Sequence, residues 1–161
     1  MKGSTMKSQK NPQASILVVD DEQGVRESLR MILKLSYKVY LSPSGEEALN
    51  FIRENKVDLI LLDLRMPGLS GLNTLREIKK ISEDIDVIIV TAYGTMANAQ
   101  EAIAHRVKDF ITKPFDVAEV LYIVNRTIKK RGEILRTQAI LHEIRSLYDP
   151  DIQFPGKALE R

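Results

Sequence analysis

Short apolar runs, each cut off by polar residues and followed by a segment of helical spacing, recur through this chain. They are SILVV at 15–19, YKVYL at 37–41, VDLILL at 57–62, DVIIV at 86–90 and VKDFIT at 107–112. The first, third and fourth are almost continuously apolar, as strands buried on both faces are. Between the runs, apolar residues fall three and four apart: Val25, Leu29, Ile32 and Leu33, then Ala48, Leu49 and Ile52, then Leu72, Leu75, Ile78 and Ile81. A thinner stripe (Ala97, Ala99, Ala102, Ile103) predicts a helix over about 95–105. A last one starts near Asp116 with Val117, Val120, Leu121, Val124 and Ile128. Ser44 and Glu47 have capping-box spacing at the start of the second helix. Strict alternation of strand and helix needs crossover connections, and these dictate a parallel sheet with helices on both faces. The expected fold class is therefore α/β, a doubly wound five-stranded parallel sheet.

The polar residues that end the runs carry the chemistry. Asp63 stands directly at the end of the third run, and Met66-Pro67-Gly68 then breaks the chain. The first run ends in Asp20, Asp21 and Glu22, the fourth in Thr91-Ala92-Tyr93-Gly94, the fifth in Lys113-Pro114-Phe115. In open parallel sheets, sites lie at these carboxyl ends. Crowded carboxylates repel one another and require a cation. Hard oxygen donors, few enough to leave room for water, suit Mg²⁺ better than a transition metal. Lys113, a mobile point charge, and Thr91, a hydroxyl donor, would join Mg²⁺ in binding the three oxygens of a phosphoryl group carried on Asp63. Ala92 is small enough to admit it. A lone acid at a strand end is more often a helix cap or a solvated loop residue. Asp20, Asp21, Asp63, Thr91 and Lys113 all falling on one edge is a stronger pattern than any one of them.

Composition narrows the classes. With 161 residues and 43% hydrophobic content, the chain suits one domain with an appendage. Its 24 basic against 22 acidic residues argue against a dominant nucleic-acid surface in this segment. There is no cysteine, which removes disulfide and thiol chemistry, and a cytoplasmic location is the expectation. No apolar run approaches the roughly 20 residues that span a bilayer.

VVDDE at 18–22, LLDLRMPGLSGL at 61–72, VTAYG at 90–94 and DFITKPFD at 109–116 together resemble the response-regulator receiver domains of two-component signalling. The likeness covers about 16–130, and the TAYG and TKPFD wording is similar to receivers of NtrC-like transcriptional activators. The resemblance implies a flavodoxin-like strand order 2-1-3-4-5. It implies that a partner histidine kinase phosphorylates Asp63. It implies that Asp21, Asp63 and the backbone carbonyl of Arg65 bind Mg²⁺, with Asp20 assisting directly or through water. Thr91 and Lys113 would contact the phosphoryl oxygens. A cis Lys113–Pro114 bond is implied, and Phe110 holds the switch-aromatic position that moves together with Thr91. Arg65 and Tyr93 flank the site where they would govern the lifetime of the phosphoryl group. The domain would assist its own phosphorylation and dephosphorylation without being an enzyme in the usual sense. Three positions depart from the family's pattern: Arg106-Val107 where Gly-Ala is usual, Ser70 for a common Asp, and Ser36 for a usual Gly.

The organisation expected is a disordered lead-in at 1–14, a receiver at 15–130, a helical extension at 131–148 and a linker at 149–161. Met6 leaves open whether 1–5 is native. In the extension Ile134, Leu141 and Tyr148 recur every seven residues, beside Ile140, Ile144 and Leu147. This stripe serves a coiled-coil homodimer or a helix folded back on its own domain, and Gly132 is a candidate kink. Asp149-Pro150 ends the helix, and the linker points to an output domain missing from this chain. His142-Glu143-Ile144-Arg145 resembles the phosphorylated-histidine box of sensor kinases, but the usual following proline and an ATP-binding segment are absent; a surface histidine is the simpler reading, as it is for His105. Two other function classes lack the residues they need. An aspartyl-phosphate phosphohydrolase needs a second carboxylate two residues after Asp63, where Arg65 stands. A flavin module needs a phosphate-cradling loop after the first strand, where acids stand instead.

Overall fold

A computed structural model describes residues 13–92 and 96–148. The lead-in at 1–12, Tyr93, Gly94, Thr95 and the 149–161 segment lie outside them. Five strands, β1 (Ser15–Val19), β2 (Lys38–Ser42), β3 (Leu59–Leu62), β4 (Asp86–Thr91) and β5 (Asp109–Thr112), alternate with helices. These are α1 (Gln23–Leu33), α2 (Gly45–Glu54), α3 (Gly71–Ile81), α4 (Met96–Ala104) and α5 (Val117–Tyr148). The sheet is parallel throughout, in the order β2-β1-β3-β4-β5. This is the flavodoxin-like order.

Side-chain alternation along the strands feeds two cores. Leu17, Val19, Ile60, Leu62, Val87 and Ile89 face one side, against Ala48, Leu49 and Ile52 of α2, Leu75 and Ile78 of α3, and Ala102 of α4. Ile16, Val18, Leu59, Leu61, Ile88, Val90 and Ile111 face the other, against Leu29 and Leu33 of α1 and Val120, Ile123 and Val124 of α5. Because both faces are covered, the central strands must be apolar at successive positions. Every residue of β1, β3 and β4 is buried.

Local signals account for the helix starts. Ser44 Oγ accepts from the Glu47 amide at 3.2 Å, and Ser70 Oγ accepts from the Asn73 amide at 3.3 Å. The serine at 70 thus caps α3, a role that a short acid would also fill. Strand edges shift from the sequence expectation: β2 runs one residue later than 37–41, β4 reaches Thr91, and β5 begins at Asp109 rather than 107. The last has a backbone cause. Arg106 takes a left-handed φ of 58° to close α4, its amide donating to the Ile103 carbonyl at 2.9 Å. Pairing with β4 then starts at Asp109 opposite Ile88. A positive φ is easy for glycine and costly for arginine, which explains why glycine suits this position.

The chain divides into two units after Ile128. In the second, Gly132 lies within α5 and does not end it. Ile134, Leu135, Ile140, Leu141, Ile144 and Leu147 are exposed. Among the described residues no helix is long and apolar enough to cross a membrane.

Candidate functional site

Register places the acids. Val19 lies opposite Leu62, so the next residue of each strand, Asp20 and Asp63, emerges side by side. The Asp63 amide donates to the Val19 carbonyl at 2.9 Å, and the Asp20 amide to the Ser42 carbonyl at 3.2 Å. Thr91 pairs with Thr112, and the Lys113 amide donates to the Thr91 carbonyl at 3.0 Å. Lys113 therefore leaves β5 on the same edge. The Lys113–Pro114 bond is cis.

Carboxylate oxygens of Asp20, Asp21 and Asp63 all lie within 4.8 Å of one another. Asp20 and Asp63 are buried and Asp21 is exposed, so the cluster opens to solvent on one side. Lys113 Nζ reaches in from β5. It lies 2.6 Å from Asp20 Oδ2, 3.3 Å from Asp63 Oδ2 and 3.3 Å from Glu22 Oε1. Asp63 Oδ1 accepts from the Arg65 amide at 3.2 Å, and Asp20 Oδ1 accepts from the Glu22 amide at 2.9 Å.

Burial pushes Asp20 above its ordinary value of 3.8; hydrogen bonds from Lys113 and the Glu22 amide oppose the rise, and the Asp63 charge adds to it. For Lys113, burial works to lower the ammonium. The hydrogen bond and charge of Asp20, with the charge of Asp63, outweigh it and hold Lys113 above 10.5. The basin thus carries more negative charge than its one lysine neutralises. Three carboxylates this close, hard donors with one side open, fit a divalent cation with retained water.

The loop after Asp63 is tightly set. Gly68 has a φ of 77°. A Cβ at Gly71 would sit 2.2 Å from the Asp63 carbonyl oxygen and 2.4 Å from Leu64 Cα, so only glycine lets α3 start this close to the end of β3. The Leu69 amide donates to Glu46 Oε1 at 2.9 Å.

Of the residues singled out in the sequence, Asp20, Asp21, Asp63 and Lys113 come together directly. Thr91 is buried at the end of β4. Arg65 is exposed and contributes its amide to Asp63. Phe110 lies within β5, opposite Ile89, and is partly buried against the core on the α2, α3 and α4 side. Tyr93 lies outside the described residues. Sequence reasoning missed Arg26, whose Nη1 donates to the Asp20 and Asp21 carbonyls; a side chain that binds backbone leaves no periodic signal. The contact of Glu22 with Lys113 does have a sequence signal, the third acid of the run.

Residues 16–125 match the family model for the response regulator receiver domain. The chain belongs to that family. The receiver is 38% identical over 106 residues to sporulation initiation phosphotransferase F of Bacillus subtilis, covering 65% of this chain and 86% of that protein. It is 34% identical over 134 residues to the regulatory protein AtoC of Escherichia coli, covering 83% of this chain and 28% of that one. Among solved structures, NtrX from Brucella abortus in complex with ADP superposes with a TM-score of 0.73 at 29% identity, over 79% of this chain and 30% of that one. The chain thus spans under a third of AtoC and of NtrX. Receiver domains are signalling switches of two-component phosphorelays rather than classical enzymes.

Proposed function

We propose that this receiver is a phosphoacceptor switch in which a sensor histidine kinase phosphorylates Asp63 in the presence of Mg²⁺. The observation that carries the reading is Asp63 buried between two acids that require a cation and a lysine 3.3 Å away. The Asp63 carboxylate oxygen attacks the phosphorus of the kinase phosphohistidine. The P–N bond breaks, its electron pair stays on the imidazole nitrogen, and Asp63 becomes an aspartyl phosphate. Asp21, Asp63 and the Arg65 backbone carbonyl would hold Mg²⁺, with Asp20 assisting. When bound, the ion neutralises charge on the carboxylates and the arriving phosphoryl group. Lys113 and Thr91 supply the remaining positive charge and hydroxyl to the phosphoryl oxygens. Water attack on the same phosphorus regenerates Asp63, at a rate tuned by Arg65 and Tyr93.

Drawing Thr91 toward the phosphoryl group biases Phe110 and the face built from α4, β5 and α5. The output in this reading is transcription, performed in the cytoplasm by a domain outside this chain, and the likeness to AtoC and NtrX supports an NtrC-like parent. We take 15–130 as the receiver, 131–148 as a helical extension and 149–161 as linker. The exposed stripe from Ile134 to Leu147 supports pairing of two such helices as a homodimer; sedimentation on dilution that shows only monomer overturns that pairing.

Borohydride reduces an aspartyl phosphate to homoserine. After treatment with phosphorylated kinase and Mg²⁺, peptide mass spectrometry is expected to find homoserine at position 63. Homoserine elsewhere, or nowhere, overturns the assignment.

A further inference from the structure

We propose that Arg26 is a positioning residue for the cation site, holding the Asp20 and Asp21 backbone so that both carboxylates turn toward Asp63. The inference rests on the reading of the acidic cluster as a divalent-cation site. Arg26 stands in the first turns of α1, and its amide donates to the Glu22 carbonyl at 3.1 Å. Its side chain turns back. The single atom Nη1 donates to the Asp20 carbonyl at 2.7 Å and to the Asp21 carbonyl at 3.0 Å.

Two consecutive peptide planes are thereby held by one charged donor. The plane joining Asp21 to Glu22 is fixed at both ends: Arg26 binds its carbonyl, and its amide donates to Asp20 Oδ1 at 2.9 Å. Rotating that plane would pull the donor away from the Asp20 carboxylate. Arg26 therefore orients a metal-facing side chain through a peptide group, as partners behind metal ligands do. The need for it is electrostatic, since three carboxylates within 4.8 Å push the β1–α1 turn apart. Nor does a side chain at the helix start do this work: Glu22, in the N-cap position of α1, makes no side-chain capping bond.

The test separates cation affinity from chemistry. Arg26→Gln removes the charge, and Arg26→Lys keeps a charged nitrogen donor on a different stem. Mg²⁺ affinity is measured by calorimetry, and phosphorylation by acetyl phosphate is followed against Mg²⁺ concentration. Arg26→Gln is expected to raise the Mg²⁺ dissociation constant about tenfold. The Mg²⁺ concentration for half-maximal phosphorylation should move in step while the plateau stays at the wild-type level, and Arg26→Lys should recover much of the loss. A wild type that binds Mg²⁺ and a glutamine variant that binds it equally overturn the role of Arg26 alone. A lowered plateau at unchanged affinity does the same. A wild type that shows no Mg²⁺ binding overturns the cation site itself. Should Arg26→Gln not fold, amide exchange at Glu22 in Arg26→Met, which removes the donor but keeps the stem, carries the test: it should quicken relative to its neighbours, and an unchanged rate overturns the proposal.

Discussion

Lys113 Nζ lies 2.6 Å from Asp20 Oδ2 and 3.3 Å from Asp63 Oδ2, so the lysine is held more closely by the assisting acid than by the proposed phosphoacceptor. That arrangement leaves the Asp63 side of the ammonium free to strengthen its contact when a phosphoryl group arrives. It also makes Asp20 a residue whose charge burdens the cation-free fold.

Burial raises Asp20 above 3.8 in the folded protein. The folded state then holds this proton more tightly than the unfolded chain, and stability falls as pH rises from about 3.8 through the raised value. Asp20→Asn removes that loss. In the absence of divalent cation at neutral pH it should stabilise the protein by on the order of 1 kcal/mol, read from urea unfolding. The same substitution should weaken Mg²⁺ binding.

Lys113 follows the same direction in a higher pH window, but here it is the charged form that the fold favours. Its folded value is raised above 10.5, so its contribution is fully present below that pH and is lost as pH climbs through the folded value. Lys113→Met leaves Asp20 and Asp63, 2% and 4% exposed, without their cation. It should cost about 3 kcal/mol in Mg²⁺-free urea melts, with part regained on adding Mg²⁺. The steep alkaline loss above 10.5 should shrink with it.

Arg106 sits at a φ of 58°, where a side chain is strained. Arg106→Gly should stabilise the protein by about 1 kcal/mol, seen as a higher midpoint at unchanged slope in urea. The proposed site should be indifferent to it.

Gly71→Ala tests the close approach of α3 to the end of β3. The added methyl would meet the Asp63 carbonyl oxygen at 2.2 Å. A loss of about 3 kcal/mol is expected, together with slower phosphorylation because the Asp63 backbone must move. Unfolding and acetyl phosphate kinetics check the two effects separately.

Much of this was legible because the central strands are buried on both faces, and continuous apolar runs such as LILL at 59–62 mark both their position and their end. The carboxyl-edge location of Asp20, Asp21, Asp63, Thr91 and Lys113 followed from run ends alone. Strand order did not, since periodicity carries no information about neighbours; it came from the family likeness. Hydropathy places the start of β5 two residues early, because the left-handed Arg106 delays pairing and a strained backbone angle has no hydropathy signature. Arg26 was invisible because it binds carbonyls, which every residue has. The preference of Lys113 for Asp20 over Asp63 depends on tenths of an ångström that only the fold sets.

Intact mass after incubation with Mg²⁺ and acetyl phosphate, for wild type and Asp63→Asn, tests the central claim most directly. The account predicts one added phosphoryl group on the wild type and none on the variant. Equal addition to both, or none to a wild type that binds Mg²⁺ and is also left unmodified by a phosphorylated kinase, would contradict it.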